Sequence, residues 1–158
     1  MRNIYEYPSL FIKGTRNPPF CKVENECYHI SMRESSEFGY AMIENSLEKV
    51  IDIDYSRVRE DYCLEIPWLG KALKIARGTP LELTEISAMK VLLVKREGDY
   101  VSKGEIIAHT ITVKDASRSI RAGSEGVIVF IGSRSLSNPE AYVVAVADSD
   151  IVEWFKRS

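Results

Sequence analysis

Residues 97–107 run Glu97-Gly98-Asp99-Tyr100-Val101-Ser102-Lys103-Gly104-Glu105-Ile106-Ile107. Two glycines, each in a polar dipeptide (Gly98-Asp99 and Lys103-Gly104), permit backbone turns that a side chain would oppose. Val101, Ile106 and Ile107 supply an apolar wedge beneath them. The pattern is one of short strands joined by tight bends, and the flanking sequence continues it. Ile86 to Lys95 reads as a strand, and Glu105 to Val113 runs extended to a polar tip at Lys114-Asp115-Ala116-Ser117. Arg118 to Ala122 is extended again, Gly123 to Gly126 turns, and Val127 to Ile131 is a strand. Gly132 to Glu140 is a serine-rich loop punctuated by Asn138-Pro139, and Tyr142 to Val146 is a last strand. Asp150 with Glu153 forms a capping box, which predicts a short C-terminal helix, Ile151 to Lys156.

A second stretch has the same texture: Ile120-Arg121-Ala122-Gly123-Ser124-Glu125-Gly126-Val127-Ile128. The first stretch matches Gly-Asp-x-Val-x-x-Gly-x-x-Leu. The second is similar to Ile-x-Ala-Pro-x-x-Gly-x-Val, with Gly123 where proline is usual. Together, over about residues 86–147, they resemble the biotinyl/lipoyl-carrier type of domain. The resemblance implies a barrel-sandwich hybrid, two small β layers over one core. In carriers a lysine at the tip of the hairpin between the two stretches takes biotin or lipoate and becomes a swinging arm. The lysine between them here is Lys114. Its neighbours depart from the carrier pattern: Val113-Lys114-Asp115 stands where biotin domains have Ala-Met-Lys-Met and lipoyl domains favour Asp-Lys-Ala. Ala88-Met89-Lys90 is a biotin-like triplet, but it precedes the first glycine turn and falls on an early strand. The chain as a whole is also similar to a family of archaeal proteins of unknown function.

The first 80 residues read differently. Ile4 to Ile12 is a strand broken by Pro8, and Lys13 to Pro19 is turn-rich. Phe20 to Ser31 is a strand or hairpin with Val23, Cys27 and Ile30 inward. Phe38 to Ile43 is a further strand. Asn45-Ser46 caps a helix through Leu47, Val50 and Ile51, although Ile51, Ile53 and Tyr55 alternate like a strand. Tyr62 to Ile66 is a strand, and Pro67 then suits the first turn of a helix. Trp68, Leu69, Ala72, Leu73 and Ala76 fall on one face of that helix, which Gly78 ends. The expectation is therefore a mainly β protein of two regions: residues 1–80 as an α+β N-terminal half, and residues 81–158 as a biotinyl/lipoyl-like β domain with a short C-terminal helix.

Other chemistry-bearing residues are sparse. Cys21, Cys27 and Cys63 have no metal-knuckle spacing, although Cys27 and His29 can share a strand face. Asp52 and Asp54 would share a face if their segment is a strand. Arg118, Arg121 and Arg134 suggest a small anion site, against which stands the three-residue spacing of the first two. His109 sits in an extended segment near Lys114. The serines at 117, 119, 124, 133, 135 and 137 lack a nucleophile elbow, and no Walker, Rossmann or zinc-protease motif is present. We expect no catalytic residues and no metal.

The 158 residues are 45% hydrophobic and 28% charged, with net charge -2. Up to residue 80 there are 11 basic and 12 acidic residues, and after it 10 and 11, so neither half carries the basic excess of a nucleic-acid binder. The apolar runs are strand-sized and the N-terminus has no apolar stretch, which leads us to expect a cytoplasmic protein without membrane partners. The preferred expectation is a non-catalytic interaction or scaffold module with a protein partner. A carrier bearing a lipoyl- or biotin-type group on Lys114 is the alternative. A ligand-binding protein or enzyme using residues 20–66 and 109–121 in a cleft between the halves is a further one. An incomplete N-terminal sheet would leave an edge to be covered by self-association.

Overall fold

The structure, a computed structural model, describes residues 7–33, 37–112, 114, 116–137 and 139–158. It divides into two compact units: Leu81–Ser149, and the chain up to Pro80 together with Asp150–Ser158. Among the described residues no helix is long and apolar enough to cross a membrane.

In the first unit, β1 (Ser9–Lys13), β2 (Phe20–Glu24), β3 (Cys27–Ser31) and β4 (Phe38–Ala41) precede a 3-10 turn at Ile43–Asn45 and the single-turn helix α1 (Leu47–Val50). A small hairpin follows, β5 (Ile51–Asp52) and β6 (Arg57–Val58), then β7 (Tyr62–Ile66), a 3-10 turn at Pro67–Leu69 and β8 (Lys71–Ile75). The segment with mixed signals near residue 50 is thus both helix and strand, in succession. Ser46 does not cap the helix; its hydroxyl donates to the Met42 carbonyl.

The N-terminal half is not α+β. Six of its strands and the last strand of the chain close a seven-stranded barrel in the order β1-β4-β2-β3-β16-β8-β7, with β16 at Glu153–Arg157. Phe11, Cys21, Tyr28, Phe38, Cys63, Ala72 and Phe155, one from each barrel strand, form a single core cluster, which places them in the lumen. The alternate residues Leu10, Leu64, Leu73 and Ile75 are buried as well. Strands apolar on both faces read as continuous hydrophobic runs rather than alternating ones. That explains the first correction: the helix expected from Pro67 is one 3-10 turn, and Gly70, at φ +64°, turns the chain into β8. The second correction has a non-local cause. The capping-box segment Ile151 to Lys156 is not helical, because its residues pair antiparallel with β8 and parallel with β3 to complete the barrel. Among the described residues the seven barrel strands close on one another, so the incomplete N-terminal sheet on which that expectation rested is not found.

The second unit holds β9 (Glu82–Ala88), β10 (Lys90–Leu93), β11 (Tyr100–Val101), β12 (Ile106–Ile111), β13 (Ser117–Arg121), β14 (Gly126–Ser135) and β15 (Glu140–Ala147). They form a four-stranded sheet, β11-β14-β15-β9, and a three-stranded sheet, β10-β12-β13. Ile86, Val101, Ile128 and Val144 of the first meet Ile107 and Ala108 of the second in one core, with Val91, Leu93 and Ile120 packed against it. The two glycine-rich stretches hold each other. Gly98 N–H donates to the Ile128 carbonyl at 2.8 Å, and Gly104 N–H to the Ala122 carbonyl at 2.8 Å. Both glycines have positive φ, +88° and +85°, as their turns require. Asp99 fixes the first turn by accepting the Arg96 N–H at 2.9 Å. The strand β14 extends to Ser135 and so takes in the first four residues of the serine-rich stretch expected to be loop.

Candidate functional site

The strands β12 and β13, between the two glycine stretches, form a hairpin. In β12 and β13, Ile111 faces Ser117, Thr110 faces Arg118, His109 faces Ser119 and Ala108 faces Ile120, a register symmetric about position 114. Thr112 N–H donates to the Ala116 carbonyl at 3.0 Å, which carries the pairing to within two residues of Lys114 on either side. Lys114 is exposed. Its sequence neighbours Val113 and Asp115 lie outside the described residues.

Alternation sorts the side chains of this sheet. Val91, Leu93, Ala108 and Ile120 point to the core. Lys90, Leu92, His109, Ile111, Ser117 and Ser119 point away from it, as their pairing across three strands dictates. Leu92 is 53% exposed and Ile111 44% exposed, so this outward face carries uncovered aliphatic groups. His109 Nδ1 lies 3.2 Å from the Ser119 hydroxyl, a cross-strand hydrogen bond on the same face. At the base of the sheet, the Lys95 ammonium and the Glu105 carboxylate are 2.6 Å apart. That hydrogen bond raises the lysine pKa. The same bond, with the Ser102 N–H, lowers the carboxylate's.

The three arginines considered as an anion site are committed elsewhere or apart. Arg121 donates to the Gly104 carbonyl at 2.8 Å, and Arg134 pairs with Glu85 on β9. Arg118 stands exposed near the hairpin tip. Asp52 binds Arg57 and Arg59 while Asp54 falls in the β5–β6 turn, so the two acids do not share a strand face. Met89 separates β9 from β10, which places the Ala88-Met89-Lys90 triplet at a bend. The stretches 20–66 and 109–121 fall in different units.

Cys27 and His29 do share a strand face, but it is the exposed one, so Cys27 does not point inward as expected. Among the described residues no group of three or more His, Cys, Asp or Glu is placed to hold a metal ion. Two features escaped the sequence reading. Cys21 and Cys63 meet in the barrel lumen, where a thiol–thiol hydrogen bond and burial push the Cys63 pKa far up. Tyr28 OH donates to Glu65 Oε2 at 2.8 Å, and Arg157 reaches the same oxygen at 3.2 Å. Burial, then that hydrogen bond, raises the Tyr28 pKa. Both depend on strands distant in sequence, and no local pattern signals them.

Residues 5–149 match the family DUF2118, described as uncharacterized protein conserved in archaea. No curated protein matches the chain. The chain belongs to the DUF2118 family.

Proposed function

We propose that this protein is a non-catalytic β-rich interaction module of the cytoplasm, whose 81–149 unit is a barrel-sandwich hybrid of the biotinyl/lipoyl type. The observation that carries the reading is the outward face of β10-β12-β13. Leu92 and Ile111 stand uncovered there on a sheet whose other face is packed into the core. Uncovered aliphatic groups on ordered sheets are a feature of protein-binding surfaces. A photo-crosslinking residue placed at Leu92 or Ile111 in the native host should capture the same protein from both positions. One placed at Tyr55, on the β5–β6 turn, should not. Adducts of random identity at all three positions would refute the reading.

A second reading, a carrier with a lipoyl- or biotin-type group on Lys114, draws on one observation. The hairpin register is centred on that lysine, and its side chain is exposed. The site fits an amide formed between Nζ and the carboxyl of the group, with loss of water. When bound, such a group would supply acyl or carboxyl carriage; the protein's own part is to hold the amine exposed between β12 and β13. Intact mass of protein from the native host, with its ligases present, should then show an increment that Lys114→Ala abolishes. An unmodified mass would remove this reading and leave the first untouched.

A further inference from the structure

We propose that the outer edge of β13 receives an extended acidic segment of a partner protein, which adds as a fourth strand to the three-stranded sheet. The inference rests on the interaction-module reading and names its partner's chemistry.

The argument begins with main-chain groups. The Thr112–Ala116 and Ala122–Glu105 hydrogen bonds fix the phase of the antiparallel ladder at both ends of the hairpin. Arg118 and Ile120 therefore turn their N–H and C=O groups toward β12, and Ser117, Ser119 and Arg121 turn theirs outward. Among the described residues nothing pairs with those three main-chain positions. The opposite edge of the sheet is treated differently. There Val91 N–H donates to the Glu140 carboxylate at 2.7 Å, so a side chain blocks the strand. The β13 edge has neither such a block nor a proline, and the sheet's register shift falls on β12, between Ile106 and Ala108. Open edges of this kind are templates for strand addition.

Charge selects the occupant. The three strands contain Lys90, Arg118 and Arg121 and no acidic residue, within a chain whose acids outnumber its bases. A second copy of β13 would bring arginines against arginines, whereas an acidic strand brings carboxylates to Arg118. Side-chain size agrees. Ser117 and Ser119 are short, so aliphatic groups on the outward side of an added strand can lean across them toward Ile111. The fitting segment alternates carboxylate and aliphatic side chains.

The test uses the full chain and a fluorescent, end-blocked nonapeptide alternating glutamate and valine. Saturable binding is expected. It should weaken at least tenfold for the same peptide N-methylated at alternate amides, which cannot add as a strand. Ser119→Pro removes an outward N–H while sparing the β12 ladder, and should cause a similar loss. Arg118→Glu should shift preference to a lysine–valine peptide. If a variant fails to fold, the N-methylated peptide applies the same test to the unaltered protein. Absence of saturable binding, equal binding of the N-methylated peptide, displacement by single-stranded DNA, or self-association through β13 would each overturn the proposal. Failure here with intact crosslinks at Leu92 and Ile111 would sink only the edge; loss of both would sink the module reading too.

Discussion

Gly126 shows how a single position can be legible while its reason is not. The turn before Val127 is apparent from the Gly123 to Gly126 spacing. The constraint is three-dimensional: Gly126 has φ +153°, and a Cβ there would run into the Ala147 carbonyl across β14–β15. Gly126→Ala should therefore cost roughly 2–4 kcal/mol, strained backbone and overpacking together. Gly14 is the comparison, with φ +88° and open space where its Cβ would stand. Gly14→Ala should cost about 1 kcal/mol, the conformational term alone. Denaturant midpoints at constant m-value measure both; equal losses would show that the Ala147 contact is relieved by movement. Gly123, where the carrier-like pattern has proline, differs from Gly126, because what a Cβ there would meet is the end of a flexible side chain rather than backbone. The Glu82 carboxylate lies 2.6 Å from where its Cβ would be.

Among the elements, those with local signals were read well and those defined by distant partners were not. The β2–β3 hairpin, β7 and the strands around Gly98 and Gly104 follow from alternation and turn residues. For β8 and β16, helical spacing and a capping box compete with pairing that sequence cannot display. The tie among Tyr28 on β3, Glu65 on β7 and Arg157 on β16 belongs to this scale, because it joins three barrel strands through one carboxylate oxygen. Tyr28→Phe should cost about 1–2 kcal/mol at neutral pH, the loss of a buried hydrogen bond to a charged group. The pH dependence has a definite sign. Tyr28 keeps its proton in the folded chain beyond the ordinary tyrosine pKa of about 10. Its contribution is full below that pH. It falls away as the pH rises toward the folded pKa, because the unfolded chain releases the proton first. Chemical denaturation from pH 8 to 11 should show a shallower alkaline loss in Tyr28→Phe than in the unaltered protein.

At the scale of the whole molecule, the chain returns to its beginning. Asp150–Ser158 belongs to the same unit as the residues before Pro80, and β16 stands between β3 and β8. A linear reading assigns those residues to the neighbouring β domain because nothing local marks the return. The place of Lys114 between two extended stretches was legible, because alternation and turn chemistry mark β12 and β13. The open β13 edge needed the register itself. The division into units predicts the effect of deleting Asp150–Ser158. The barrel loses Phe155 from its lumen, the Arg157 contact to Glu65, and the pairing partner of β3 and β8. The hydrogen bonds that join Gly98 to Ile128 and Gly104 to Ala122 lie wholly within Leu81–Ser149. Hydrogen exchange on the truncated chain should therefore show lost protection for amides in β3 and β8. Amides of β12, β14 and β15 should keep theirs, because their partners remain. Uniform loss of protection across both sets would mean that the two units fold as one cooperative body, and would remove the independence this prediction assumes.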